Sequence, residues 1–279
     1  MSFINYSTVI RQLRRFFQDE KGFIEFPAQS RLSILAACED PKTIASFNFD
    51  RTLYPLPQTG QMWLESGLLN NPSLPGVFCI TTSYRNEPNP VAGRHEKVFP
   101  MFEFEAAGTI DDLRKLEFEL AKYLGFPTPI SKSYAELSEK YGATELTAEH
   151  ELLMHEEFGS AVSLEYFPRS THPFWNMKEN TDGTFNKIDI ILSGMETFGS
   201  AERSTDAEQM RHNFHHISDG QYAQLLFDMF TKERVLAELD TYLSLPMFPR
   251  FGAGLGVGRI IRAMLMENLL NPETALLAA

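Results

Sequence analysis

The sequence predicts an α+β fold, and three observations carry that prediction. Extended, alternating segments come in pairs close enough to form hairpins, at 46–57 and at 76–105. Segments with helical periodicity gather between and after these pairs instead of alternating with strands one by one. No internal repeat, low-complexity tract or clear linker divides the 279 residues, so one domain over 1–279 is expected. Hairpin-joined strands with helices collected elsewhere argue against a doubly wound parallel sheet.

Taken in order, residues 7–21 put Val9, Ile10, Leu13, Phe16 and Phe17 on one helical stripe, with Ser7 as cap and Gly22 as stop. GFIEFP (22–27) alternates as a strand that closes on Pro27, which suits a strand end or edge. SFNFDRTLYPLP (46–57) reads as strand, turn, strand, and QTGQMWLESGLL, from Gln58, as a short helix. The apolar run at 76–80 and its return at 98–105 make a hairpin with a long loop. Thr109 caps a helix whose inner side carries Leu113, Leu116, Leu120 and Leu124. Two short helices are expected around Tyr134–Tyr141 and Ala148–Phe158, then strands at 160–167, at 174–178 and along KIDIILSGME. A single long helix is expected over 219–243, with Leu225, Leu226, Met229, Phe230 and Leu236 on its stripe. The chain closes with FPRFGAGLGVGRIIRAMLMENLL, whose glycines at 252, 254, 256 and 258 allow close backbone approach before a helix starting near Arg259.

Composition narrows the function. A chain that is 43% apolar and 22% charged is ordinary for a globular protein. No apolar run approaches the roughly 18–20 residues that span a bilayer, and the N-terminus lacks a signal-peptide core. Cys38 and Cys79 lie in unrelated contexts with neither metal nor redox spacing, so a reducing, cytoplasmic location is expected. The net charge of −12 repels nucleic acid: DNA is not expected, and tRNA would need a local basic patch. His212, His215 and His216 have metal-like spacing but no flanking carboxylate or cysteine, so a loop or helix surface is expected there.

The richest stretch is SYRNEPNPVAGRHEKVFPMFEFE, Ser83 to Glu105. Arg85, Glu87, the pair Arg94-His95 and Phe99 on one hairpin suit a nucleoside triphosphate, because guanidinium forks bind phosphate oxygens and a ring stacks on a base. An ordinary hairpin with solvated charges has the same composition, and the stretch alone does not separate the two. GAGLGVG superficially matches a dinucleotide fingerprint, but it lies about twenty residues from the C-terminus with no βαβ unit after it, and that reading fails.

Three separated pieces together resemble the catalytic domain of class II aminoacyl-tRNA synthetases, in the aspartyl, asparaginyl and lysyl subclass. GFIEFP resembles the first motif of that family, YRNE…GRHEKVF the second and GAGLGVGR the third. The resemblance covers roughly residues 7–270 and implies a mainly antiparallel β-sheet flanked by helices. It further implies ATP and Mg²⁺ as cofactors, with Arg85 on the α-phosphate, Glu87 on the adenine or ribose side, and Arg94 or His95 on the γ-phosphate. Phe99 would stack on one face of adenine and Arg259 would close the other, and Asp189 and Glu196, seven apart, would face the metal. Hard Mg²⁺ takes oxygen ligands and bridges phosphates through one or two carboxylates.

For the amino acid, the resemblance implies Gln61 at the α-amino group, Glu103 and Glu105 facing the substrate, and Arg203 on its side-chain carboxylate or amide. Arg203 favours asparagine or aspartate over lysine. Leu64, where aspartyl enzymes carry lysine, and Glu103 favour asparagine, with aspartate second. Departures are Ser200-Ala201, Gly258 before the third-motif arginine, and Arg250 in a place often held by histidine. The family commonly dimerises through its first motif, here 22–27, so a homodimer is expected. The first motif begins within about twenty-five residues of Met1, so no anticodon-binding domain is expected. Three outcomes stay open: a ligase passing the activated amino acid to tRNA, a protein or a small molecule; an AMP-forming asparagine synthetase using aspartate and ammonia; and a non-catalytic paralogue that binds an amino acid or adenylate and regulates a partner.

Overall fold

An eight-stranded sheet runs through the protein, and its pairing decides which way each site residue faces. The structure, a computed structural model, describes residues 2–28, 32–36 and 39–270; Cys38 lies outside the described residues. Helix α1 (Phe3–Arg14) continues over Arg15–Glu20 with wider, π-type bonding and stops before Gly22. It starts four residues earlier than expected. Nothing in 3–6 breaks a helix, so Ser7 is carried inside it instead of capping it. The strand expected over 22–27 is cut to β1 (Ile24–Glu25), which pairs in parallel with β4 (Val77–Tyr84) at the sheet edge.

β2 (Ser46–Phe49) and β3 (Thr52–Pro55) form a separate hairpin, and α2 (Gln61–Asn70) leads into β4. β4 and β5 (Val98–Ala107) pair antiparallel from Val77↔Glu105 to Tyr84↔Val98, as the hairpin reading required. A reciprocal capping box of Thr109 and Asp112 opens α3 (Ile110–Tyr123). β6 (Ile130–Ser133), which the sequence reading missed, is followed by α4 (Tyr134–Tyr141), α5 (Ala148–Phe158) and β7 (Ala161–Pro168). KIDIILSGME is not one strand: β8 (Thr184–Leu192) turns at Ser193 and Gly194, both at positive φ, into β9 (Met195–Arg203).

The strand expected at 174–178 is a turn with one isolated bridge, Met177↔Arg203. Trp175 and Asn176 are pulled inward there and buried. His212, His215 and His216 lie on α6 (Ala207–His216), with the His212 and His216 rings stacked at 4.0 Å. The single helix expected over 219–243 is two, α7 (Gln221–Phe230) and α8 (Lys232–Leu243). Thr231, at φ 68° and ψ 144°, breaks the hydrogen-bond ladder between them. The end is β10 (Arg250–Gly256) running directly into α9 (Val257–Met266).

The strand order is β1-β4-β5-β10-β9-β8-β7-β6, parallel at both edges and antiparallel in the middle. Directly paired residues share a face. On one face Phe78, Phe102, Phe104, Phe198, Phe251 and Leu255 belong to the main core, which α1, α3 and α9 cover. On the other, one row of partners reads Cys79, Glu103, Gly254, Gly199, Asp189 across five strands. Chemistry is collected on that second face. A second apolar cluster, built on α6, α7 and α8 with Trp175, stands beside α2.

Candidate active site

The floor of the site is glycine. A Cβ on Gly252 would sit 2.0 Å from Glu105 Oε1, and one on Gly254 would sit 2.9 Å from Gln61 Nε2. Side chains from β5 and α2 therefore lie close over β10, which explains why its glycines alternate along a strand and do not form a phosphate loop.

Arg203, 3% exposed, donates through Nη2 to Glu105 Oε1 at 2.6 Å and to Gln61 Oε1. Burial pushes the Glu105 carboxyl up to about 8, with Arg203 opposing the shift, and its Oε2 has no hydrogen-bond partner. Glu103 is fully buried and saturated: Thr59 Oγ1, Thr81 Oγ1 and the Gly60 backbone N–H all donate to it, pinning the start of α2 to the sheet. Burial raises its carboxyl and these donors pull it back. Leu64 turns away into an apolar cluster with Leu68, Val77 and Cys79, so the helix side facing Arg203 carries Glu65 instead.

Glu65 is the residue the sequence reading missed. Fully buried, it accepts from Arg250 Nε at 2.9 Å, from the Tyr242 hydroxyl at 2.7 Å and from Asn176 Nδ2 at 2.7 Å, and lies 3.8 Å from Arg203. Burial opposes its charge, but Arg250 and Arg203 outweigh that and hold the carboxyl below its ordinary value. Arg250, in a position where the resemblance led one to expect histidine, is thus a buried counter-ion. A usable signal existed: an acid inside the apolar stretch MWLESGLL needs a buried partner.

Around the hairpin loop, Arg85 donates to Glu39 at 2.6 Å and lies 5.7 Å from the centroid of the Phe99 ring. His95 Nδ1 is 2.9 Å from Glu87, and Arg94 donates to Glu151 of α5 at 2.6 Å. Arg259 folds back along Gly256 and donates to the Glu196 carbonyl at 2.8 Å, with the Glu196 carboxylate at 3.6 Å. Asp189 and Glu196 converge over Gly199, where a Cβ would lie 3.7 Å from Asp189 Oδ1 and 3.2 Å from Glu196 Oε1. Lys187 donates to Asp189 Oδ2, whereas the buried Oδ1 has no partner. Burial and then Glu196, against Lys187, push the Asp189 carboxyl up to about 7. Two convergent carboxylates with an unpartnered oxygen suit a hard cation completed by water and phosphate; among the described residues no cluster of three or more His, Cys, Asp or Glu forms a protein-only metal cage.

All twelve candidate residues lie on this face or on the segments bordering it, in two groups. Gln61, Glu103, Glu105 and Arg203 form one; Arg85, Glu87, Arg94, His95, Phe99, Asp189, Glu196 and Arg259 form the other. A mainly antiparallel eight-stranded sheet with helices packed on it is the fold of a class II synthetase catalytic domain. Residues 2–271 match the family described as tRNA synthetases class II (D, K and N), and the chain belongs to that family.

Among curated proteins it is similar to the lysine–tRNA ligase of Coxiella burnetii (strain RSA 493), 23% identical over 308 residues, covering 91% of this chain and 59% of that protein. Among solved structures it resembles asparaginyl-tRNA synthetase from Pyrococcus horikoshii complexed with asparaginyl-adenylate, with TM-score 0.75, 22% identity, and coverage of 94% of this chain and 64% of that one. It also resembles a putative aspartyl-tRNA synthetase from Leishmania major, with TM-score 0.74, 16% identity, and coverage of 95% and 62%. The chain thus spans about three-fifths of the length of these relatives. No helix among the described residues is long and apolar enough to cross a membrane.

Proposed function

We propose that this chain is an AMP-forming ligase, a single catalytic domain that activates asparagine, with aspartate as the weaker substrate, and works in the cytoplasm. The observation that carries the choice is the pairing of Arg203 with Glu105, whose second oxygen is buried without a partner. A carboxamide has one oxygen to accept from a guanidinium and one NH₂ to donate to a carboxylate, so it matches this donor–acceptor pair. A lysine ammonium would face Arg203 as a like charge.

In the reaction an oxygen of the amino-acid carboxylate attacks the α-phosphorus of ATP; the bond to the bridging oxygen of the β-phosphate breaks, and pyrophosphate leaves. No side chain need act as nucleophile. Gln61 orients the α-amino group, Arg85 and Arg259 neutralise charge building on the α-phosphate, Phe99 and Glu87 hold the nucleoside, and Arg94 or His95 meets the terminal phosphate. Mg²⁺ held between Asp189 and Glu196 would neutralise charge on the phosphates. Glu103, saturated with donors, fixes the α2 end that carries Gln61 and so shapes the amino-acid side of the pocket.

A homodimer belongs to the same proposal. Ile24 on β1 and Phe3 and Ile4 on α1 are exposed large apolar side chains, and a cleft of about 490 Å³ is lined by α1 residues and Ile80. Sedimentation as a monomer at micromolar concentration would remove this part. The acceptor of the activated amino acid is open to tRNA, ammonia, a protein or a small molecule. The reading as a whole is tested by Mg²⁺-dependent exchange of labelled pyrophosphate into ATP with asparagine; no exchange would defeat it.

A further inference from the structure

Glu151 of α5 lies outside every motif, yet it joins the two halves of the phosphate end. Its Oε1 accepts from Arg94 Nη2 at 2.6 Å, and its Oε2 accepts from the backbone N–H of Glu196 at 2.8 Å. The two side chains are mostly buried, 18% exposed for Arg94 and 13% for Glu151. Glu196 passes the link on, because its carbonyl accepts from Arg259 Nη1 at 2.8 Å. Arg94, Glu151, Glu196 and Arg259 are therefore one continuous chain of hydrogen bonds across the hairpin loop, α5, β9 and α9. Arg262, held on the Ser193 carbonyl at 3.2 Å, sits close enough that Arg94 and Arg259, after burial, depress its ionisation.

The Arg94 side chain projects from the loop between β4 and β5, whose tip at Val91, Ala92 and Gly93 is exposed. A long side chain on such a loop samples many rotamers, and fixing it costs entropy when a ligand arrives. Glu151 is itself fixed by the Glu196 backbone, so it can hold Arg94 in one place. A guanidinium has five N–H donors, and this contact uses one of them, leaving donors for a phosphate.

We propose that Glu151 is a positioning residue for the terminal phosphates of ATP, pre-setting Arg94 and tying it to the strand that carries Glu196. The inference rests on the reading of Arg94 as a phosphate ligand. It is tested by calorimetric titration of ATP, with Mg²⁺, and of AMP, which lacks the terminal phosphates. Wild type, Glu151→Gln, Arg94→Ala and the double variant are compared. Glu151→Gln keeps an acceptor for the Glu196 N–H but loses the charge on Arg94. It is expected to weaken ATP binding by about 10-fold, the scale of one charged hydrogen bond, and to leave AMP binding within about 2-fold.

In the Arg94→Ala background Glu151→Gln is expected to have no further effect on ATP. Equal weakening of ATP and AMP, undiminished weakening without Arg94, or unchanged ATP affinity in Glu151→Gln each overturns the inference. If Glu151→Gln does not fold, Glu151→Asp serves: it keeps the charge but, one methylene shorter, does not span both partners, and it should weaken ATP and spare AMP. A wild type that binds neither nucleotide, or an Arg94→Ala variant with unchanged ATP affinity, defeats the underlying reading and this inference with it. An effect of Arg94→Ala without one of Glu151→Gln defeats this inference alone.

Discussion

Arg203 on β9 and Glu105 on β5 meet above the strand between them, at 2.6 Å, because Gly252 on β10 has no side chain to keep them apart. An added Cβ there would lie 2.0 Å from Glu105 Oε1 and 2.5 Å from the Phe104 carbonyl, and that backbone cannot move cheaply. Gly252→Ala is therefore expected to cost about 1–3 kcal/mol of stability or more. Gly254→Ala would press instead on Met101 Cε and Gln61 Nε2, both flexible ends, and should cost less stability while raising the KM for the amino acid. Thermal melts and exchange kinetics of the two variants check the contrast; the reverse order of destabilisation would contradict it.

Arg203 needs its planar fork, since Glu105 and Gln61 both draw on its Nη2 and Glu105 also on its Nε. Arg203→Lys keeps the buried charge beside Glu105 and Glu65, which avoids stranding two carboxylates. It is expected to raise the KM for asparagine by about 10-fold or more, the scale of a charged hydrogen bond of about 1.5–3 kcal/mol. An unchanged KM in steady-state exchange removes Arg203 from the pocket.

Arg85 is held by Glu39 in the structure, with its Nε buried and unpartnered. Arg85→Ala should abolish pyrophosphate exchange while leaving circular dichroism and the melting midpoint close to wild type, because its ion pair with Glu39 is partly exposed and contributes little. Near-normal exchange would mean that this arginine does not serve the α-phosphate.

Glu117 on α3 is fully buried on the opposite side of the sheet, and burial first, then Asp189 and Glu165, push its carboxyl well above the ordinary value. A raised folded-state value means that this group's contribution to stability is complete below the ordinary carboxylate range and is lost as pH rises toward the folded-state value. Within that window the loss runs at up to about 1.4 kcal/mol per pH unit. Glu117→Gln removes that slope, so urea midpoints at pH 6 and pH 8 should differ less in the variant than in wild type. Parallel pH profiles would show that Glu117 is not held neutral.

Much of this was legible in the sequence, for physical reasons that differ by residue. The β4–β5 hairpin and the Thr109 cap follow from local period and capping chemistry, and the structure keeps both. Gln61, Glu103, Glu105 and Arg203 could be named because their spacing matched a family pattern. Glu65 left one mark, an acid inside an apolar stretch, but its partners Tyr242 and Asn176 left none, since their meeting with it depends on how α2, α8 and the turn at 175–176 pack. Glu151 was hidden for the same reason, and the break at Thr231 because a single backbone angle leaves no mark on the apolar stripe of 219–243.

The central claim is a site that makes an adenylate and chooses a carboxamide side chain. Pyrophosphate exchange measured side by side with all twenty amino acids, with and without Mg²⁺, tests both parts at once. The account predicts Mg²⁺-dependent exchange that is strongest with asparagine, weaker with aspartate and absent with lysine. Exchange that is flat across the twenty would contradict it.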